Sequence, residues 1–313
     1  MDNKVPPRYF ARPPQKFMGG LGLRSQHYPY LLETKPKYCS WFEVISENYM
    51  ETEGRPIVIL EKLRQDFPIA LHGVSLSIGS PEPINLEYLI QLKKLLNRVD
   101  PFIVSDHFCW TGAHSINSHD LLPIPYTKKN LSLVIEKVNQ VQDFLNRPIL
   151  LENPSAYITF DYNEMVETSF ISQVCQKSGC GILLDINNVY VTCNNFNLNP
   201  FDYLDQIPIE KIGQIHLAGF TDMGSFLYDT HSNPVHNNVW RLFEYLMNKK
   251  WEVPVMIEWD DDIPEFDVLE NELLKAIEIQ SRVFLNIQNK ILTDKNLILD
   301  SSTSNSSKLL LES

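Results

Sequence analysis

GILLDINNVY (residues 181–190) holds the key to the fold. Its first half is a continuous apolar run without helical period, the pattern of a strand buried on both faces. An aspartate then stands where such a strand ends, and two asparagines follow. Asp and Asn start helices and turns well, so Asp185 reads in the first place as a helix cap. The same residue also aims a carboxylate out of a strand end, and the rest of the chain repeats that arrangement.

Seven further short runs share its character: GGLGLR (19–24), WFEVISEN (41–48), IALHGVSLS (69–77), FIVSDHF (102–108), PILLEN (148–153), IGQIHLAGF (212–220) and VPVMIEWD (253–260). Each has strand length and strand-forming content. Helical patterns lie between most of them. Leu89, Leu92, Leu96 and Val99 form one apolar face, and Leu131, Val134, Val138, Val141 and Leu145 another, with Thr127 as its N-cap. Val239, Leu242, Phe243 and Leu246 mark a third, and Leu269, Leu273, Ile277 and Phe284 the last. Eight strands alternating with helices predict an α/β protein of the (β/α)8 barrel type. An open doubly wound sheet is the alternative, but no GxGxxG or Walker loop follows any run. The expected layout is an N-terminal arm over residues 1–17, a barrel over 18–288 and a Ser-rich, disordered tail over 289–313. The stretch 111–127 reads as a long loop after the fourth strand.

The 313 residues include 27 Lys+Arg and 39 Asp+Glu, a formal charge of −12. That balance disfavours a nucleic-acid partner. Five cysteines, an odd number without a CxxC, argue against a disulfide or zinc-ribbon framework and for a reduced, cytoplasmic setting. No signal-like apolar core occurs at the N-terminus, and no apolar run reaches the roughly 18 residues of a membrane span.

The C-terminal ends of the runs carry Glu47, Asn48, His72, Asp106, His107, Glu152, Asn153, Asp185, Asn188, His216 and Glu258. Asp229 and His231 follow the seventh run in YDTHSNP. In a barrel these positions share one mouth. Taken singly, each has an ordinary reading: a satisfied core histidine, a turn aspartate, or, for Glu258 beside Asp260–Asp262, a solvated acidic rim. Their joint occurrence points to a metal site. Imidazole with carboxylate suits iron, zinc or manganese, and a shared carboxylate can bridge two ions. His27, His114, His119 and His236 fall away from strand ends and read as loop or surface residues. Cys109 and Cys193 read as small buried residues.

GLGLRSQHY, WFEVISENYM, LHGVSLSIGS, VSDHFCW, LLPIPYT, LLENPS, LLDINNVYV, QIHLAGF, DTHSNPV and VMIEWD together resemble the MbnB/TglH-type family of multinuclear non-haem iron enzymes, within the xylose-isomerase-like barrels. The resemblance spans about residues 18–287. It implies O2-dependent oxidation of cysteine residues in a ribosomally made precursor peptide, at two or three irons in a mixed-valence state. It also implies a small partner protein that binds the leader peptide and, in some members, a copper-binding product. Carried over residue by residue, it assigns one ion to His72, His107 and Glu152. A second takes Glu152 as a bridge with Asp185, His216 and Glu258, and a third uses Asn188, Asp229 and His231. The related endonuclease IV pattern has histidine where this chain has Asn188. Glu47, Asn48, Asp106 and Asn153 are expected to orient ligands or move protons, and Arg24 to steer a peptide carbonyl or carboxylate. A divalent-metal sugar isomerase, a metallo-endonuclease and a non-catalytic metal-binding protein are the competing readings.

Overall fold

A computed structural model describes residues 19–113, 116–250 and 252–309; side chains at 113, 116, 117, 119 and 290–309 are outside it. The expected N-terminal arm and the side chains of the expected tail beyond residue 289 therefore lie outside the described residues.

All eight runs contribute a strand to one closed barrel. The strands are β1 (Gly19–Gly22), β2 (Trp41–Ile45), β3 (Ile69–His72), β4 (Ile103–His107), β7 (Leu150–Glu152), β8 (Gly181–Asp185), β9 (Ile212–Leu217) and β12 (Val255–Ile257), every neighbouring pair parallel. Each is followed by helix. α1 (Tyr28–Glu33) follows β1, and α2 (Glu47–Met50) and α3 (Arg55–Leu63) follow β2. α4 (Leu86–Val99), α5 (Lys128–Leu145) and α6 (Glu167–Ser178) follow β3, β4 and β7. Then come α7 (Ile186–Asn195) and α8 (Pro200–Gln206) after β8, α9 (Asn237–Met247) after β9, and α10 (Phe266–Leu309) after β12. Among the described residues, no helix is long and apolar enough to cross a membrane.

The helices start where the sequence offers caps. Asn85 accepts from the amides of Glu87 and Tyr88 to open α4, and Thr127 accepts from the Asn130 amide to open α5. Their apolar faces close on the outer side of the barrel: Leu89, Val134, Val138, Val239, Phe243 and Leu273 join Phe42, Leu71, Leu151, Leu184 and Ile215 in one buried cluster. Each such side chain contributes about 1.5–3 kcal/mol on full burial.

A second, separate cluster of Trp41, Ala70, Ile103, Leu150, Leu183 and Met256 plugs the barrel interior. The glycines of β1 make room for it, since a Cβ on Gly20 would lie 2.2 Å from the Trp41 ring. Side chains alternate along a strand. Two residues above this plug, the inward positions are therefore Glu43, His72, Ser105, Glu152, Asp185 and Glu258; in β9, Gln214 lies level with Leu183, and His216 is the next inward residue.

One expectation changes. The stretch read as a long loop contains an antiparallel hairpin, β5 (Trp110–Ala113) with β6 (Ile116–Leu122). Its sequences, WTGA and INSHDLL, mix apolar and polar residues without strict alternation, so no period-two signal announces them. A second, smaller hairpin joins β10 (Thr221–Asp222) to β11 (Leu227–Tyr228) after β9.

Candidate metal centre

Strand register assembles the centre. β4 pairs with β7 so that His107 faces Glu152, and β8 pairs with β9 so that Asp185 faces His216. His72 ends β3, and its ring lies 4.6 Å from that of His107 and 5.5 Å from that of His216, centre to centre. One donor atom each from His72, His107 and Glu152 falls within 4.8 Å of the others, and the same holds for Glu152, Asp185, His216 and Glu258. Glu152 belongs to both groups. Its Oε2 is 3.3 Å from Nε2 of His72 and 3.3 Å from Nε2 of His107, while Oε1 is 3.7 Å from Nδ1 of His216.

These atoms are close, and four of them have no hydrogen-bond partner. Glu152 Oε2, Asp185 Oδ2, His216 Nδ1 and Glu258 Oε2 are buried without a hydrogen-bond partner. A buried polar atom left unsatisfied costs about 1–3 kcal/mol, more when charged. Four such atoms, three of them carboxylate oxygens, converge on one volume, an arrangement that fits a cation. The donor set, imidazole plus carboxylate, suits iron, zinc or manganese. Asp185 serves both readings of the opening stretch: Oδ1 accepts from the Asn188 amide at 2.7 Å and caps α7, while Oδ2 faces the cluster.

A third position lies nearer the rim. His231 Nδ1 bonds Asp260 Oδ2 at 3.1 Å. Its Nε2 has no hydrogen-bond partner and stands 2.7 Å from Asp229 Oδ1. His231, Glu258 and Asp260 can also be grouped through Nδ1. The hydrogen bond occupies Nδ1, so Nε2 with Asp229 is the better donor pair, and Asp260 acts behind the ring. His231 holds a left-handed backbone, φ +47°, rare outside glycine and often found at functional sites.

The remaining expected residues fall into place unevenly. Asn153 straddles Asp185: its Oδ1 accepts from the Asp185 amide and its Nδ2 donates to the Asp185 carbonyl, both at 3.0 Å. Asn188 lines the cavity, but its amide donates to the Asn153 carbonyl and accepts from Ser155 Oγ. Arg24 pairs with Asp260 through Nη2, while its Nη1 donates to the Leu23 carbonyl at 3.4 Å. Asp106 and Glu47 stand away from the cluster. Asp106 Oδ2 accepts from the Leu76 amide, Glu47 Oε1 accepts from the Val74 amide, and Tyr88 Oη bonds both carboxylates. The reason is alternation: His107 points inward, so Asp106 before it points outward. The backbone passes so near that a Cβ on Gly73 would lie 2.4 Å from Asp106 Oδ2. Asn48 is exposed on α2. His27, expected at the surface, is buried and bonds the Pro264 carbonyl through Nε2.

Four residues escaped the sequence reading. Ser105 Oγ is 2.8 Å from His72 Nδ1, Asp260 supports His231, and Glu43 and Gln214 meet the far side of His216. A charged or amide residue at an inward position of a buried strand was the available signal.

The electrostatics suit a cation. Burial, with His107 and His216 adding to it, keeps His72 well below its ordinary value, in the neutral form that ligates. Burial raises Asp185 well above the carboxylate range, and Glu152 beside it adds to this. Burial opposes charge on His216, but Glu43, Glu258 and Glu152 outweigh it and raise the ring well above its usual value. Burial likewise opposes charge on Glu258, which His216 and His231 overcome, holding it well below. Protons thus balance charge in the metal-free protein, and binding of a cation would expel them.

The cluster forms the floor of a cavity of about 410 Å³, with Ile45, Val74, Thr111 and Leu121 on its walls. Fold and site together define a (β/α)8 barrel with a candidate multinuclear metal centre at its C-terminal mouth. The chain belongs to the MbnB/TglH/ChrH family of RiPP precursor modification enzymes, which matches over residues 18–281. A UPF0276 protein of Caulobacter vibrioides is 47% identical over 260 residues, covering 83% of this chain and 93% of its own. One from Acaryochloris marina is 46% identical over 257 residues, covering 82% and 92%. Similar solved folds include a D-tagatose 3-epimerase-like protein (TM-score 0.56, 14% identity, 88% of this chain and 100% of that one). Endonuclease IV from Thermus thermophilus is another (TM-score 0.55, 11% identity, 85% and 99%). At these identities they show the fold, the xylose-isomerase-like barrel, and nothing further.

Proposed function

We propose that this chain oxidises cysteine residues of a ribosomally made precursor peptide, using O2 and two or three irons in a mixed-valence state. The reading places it in the cytoplasm, with a small partner protein presenting the leader peptide. The observation that carries it is the set of buried, unpartnered donor atoms that converge at the barrel mouth of a family member. His72, His107 and Glu152 would hold one ion. Glu152, Asp185, His216 and Glu258 would hold the second, and Asp229 with His231 a third, beside Asn188. Bound iron would acidify the substrate thiol and supply electrons to O2.

The chain's own residues prepare that chemistry. Asp185 and His216 are 0% exposed, whereas His231 at 9% and Glu258 at 7% border the cavity. Substrate entering from solvent therefore meets the Asp229–His231 side first. That position has fewer protein donors than the second group, which leaves room for a thiolate. Asp260 and Arg24 behind His231 hold its ring, and Asn153 and Asn188 hold the strand ends beneath it. Ile45, Val74 and Leu121 exclude water from the walls. A cavity of this size admits a cysteine and its immediate neighbours, not a folded domain.

Metal analysis with Mössbauer spectroscopy, on protein from iron-supplemented cells, tests the proposal. Two to three antiferromagnetically coupled irons per chain are expected. Stoichiometric zinc or manganese without iron, after anaerobic purification, would overturn it in favour of a hydrolase or isomerase. Iron without O2 consumption, with cysteine-containing precursor peptides supplied as substrate, would favour a non-catalytic role.

A further inference from the structure

We infer that Glu43 is a positioning residue that fixes the ring and the tautomer of His216, turning the Nδ1 lone pair onto the metal position shared with Glu152, Asp185 and Glu258. The inference rests on the metal-centre reading above.

Glu43 is 3% exposed and lies inside the barrel, one inward step above the apolar plug that Trp41 begins. Its Oε1 is 2.9 Å from His216 Nε2, and its Oε2 accepts from Gln214 Nε2 at 2.5 Å. Glu43 is not among the clustered donors, so it stands behind the ring and not beside the ion. A neutral imidazole has one proton for two nitrogens. An ionised carboxylate only accepts, so the proton stays on Nε2 and the lone pair on Nδ1. That nitrogen is the buried one without a hydrogen-bond partner, 2.9 Å from Glu258 Oε2 and 3.7 Å from Glu152 Oε1. The Gln214 amide nitrogen lies 2.9 Å from His216 Nε2. Gln214 donates one N–H to Glu43 Oε2 and so fixes the carboxylate plane; its contact with Nε2 becomes a hydrogen bond only in the opposite ring tautomer, which the Glu43 carboxylate disfavours.

A purely structural account is weaker. A carboxylate above an apolar plug costs desolvation energy, and an apolar residue of similar volume is often neutral or stabilising there. The contacts that offset this cost are His216 and Gln214. The other ligand rings have gentler supports: a hydroxyl, Ser105 Oγ, for His72, and a carbonyl, Gly73 O, at 3.2 Å for His107. Among these three buried rings, only His216 has an anion behind it, so it should be the most basic nitrogen donor of the set.

The test uses the full chain, Co(II) alone as probe, and the variants Glu43→Gln and Glu43→Leu. The metal-free variants are first melted, and Glu43→Leu is expected at or above the parent Tm. Cobalt Kd should rise 10–100-fold in Glu43→Leu. Glu43→Gln, whose amide oxygen still accepts from Nε2–H, should fall between. Proton NMR of the cobalt-loaded parent should show a hyperfine-shifted N–H signal that persists in H2O and disappears in D2O. In Glu43→Leu that signal should broaden or vanish through fast exchange, a change that mere packing would not cause. Unchanged Kd and an unchanged N–H signal in Glu43→Leu would overturn the inference while leaving the metal centre standing. If Glu43→Leu fails to fold, an unchanged Kd in Glu43→Gln overturns it. A parent protein that binds no cobalt overturns both readings together.

Discussion

Glu152→Gln separates the fold from the centre more sharply than any other single change. The amide keeps the side chain's shape, so packing is preserved. It removes the one donor common to both deep groups. The first group then retains only His72 and His107, below the three protein ligands of an ordinary catalytic site. Loss of a supporting residue behind a ligand costs 10–100-fold in affinity, so loss of a shared direct ligand should cost about 100-fold or more. At a free metal concentration about 100 times the parent Kd, binding stabilises the parent by about 2.7 kcal/mol. With a Kd about 100-fold weaker, the same concentration leaves only about 0.4 kcal/mol. For a barrel of this size each kcal/mol moves Tm by about 2–4 °C. A metal-dependent Tm gain of roughly 5–10 °C should therefore shrink to about 1 °C. The metal-free form should move the other way. Burial raises the Glu152 carboxyl above its ordinary value, so exchange for a neutral amide relieves the apoprotein. Paired melts with and without metal, with metal analysis on the same samples, read both effects. An unchanged ion count and Tm gain in Glu152→Gln would refute the bridging role.

Other changes read other parts of the molecule. His107→Ala should lose both bound metal and turnover, and full activity in that variant would remove it from the ligand set. Asn153→Leu breaks both hydrogen bonds to the Asp185 backbone and should destabilise even the metal-free protein by about 1–3 kcal/mol, measured by urea denaturation; an unchanged midpoint would show that the amide is dispensable. Glu167, away from the mouth, has its carboxyl pushed up to about 7 by burial, against the Tyr126 and Tyr203 hydroxyls that bond it. A folded-state value above the unfolded one means that its contribution is full below about pH 4.5 and is lost as pH rises through 7. Glu167→Gln should match the parent near pH 4.5 and exceed it in Tm at pH 8; parallel pH–Tm curves would refute this.

Much of the fold was legible because a parallel barrel hides both faces of its strands. The eight runs therefore stand out as short, mainly apolar stretches, and their ends mark the mouth. Ligands at run ends, such as His72, Glu152 and Glu258, could be read for the same reason. Asp106 was grouped with the residues behind the ligands; its parity beside His107 adds the direction it faces, and its Oδ1 accepts from the His107 amide. Next to an inward His107 it had to face the other way, and it holds the turn after β3. Glu43, Gln214 and Ser105 were hidden one inward step below the mouth, in strands read only for their apolar character. Asp260 was grouped with its acidic neighbours, and nothing in the local sequence shows that it reaches His231 from the next strand's loop. The β5–β6 hairpin mixes Trp110, Thr111 and Leu121, which turn to the core or the cavity, with polar residues in no regular alternation, and so left no periodic trace.

The two readings of Asp185 turn out to be complementary. A strand that delivers a ligand into a barrel mouth must stop there and turn into a helix, and a carboxylate can end the strand with one oxygen and face an ion with the other. Oδ1 accepts from the Asn188 amide, and Oδ2 stays unpaired toward Glu152, His216 and Glu258. The asparagines extend the same economy across the mouth. Asn187 Nδ2 donates to Asp229 Oδ1 at 2.7 Å, while Asn188 Nδ2 donates to the Asn153 carbonyl at 3.0 Å. One helical turn thus ties the deep carboxylate to the rim carboxylate and to the strand end beside Glu152. A displacement of this turn moves donors of two ion positions at once. Asp185→Asn tests the division directly: its amide oxygen can still cap α7, so the metal-free protein should keep its Tm while metal affinity falls. Loss of the metal-free fold in that variant would mean that the charge itself, and not the cap geometry, holds the turn.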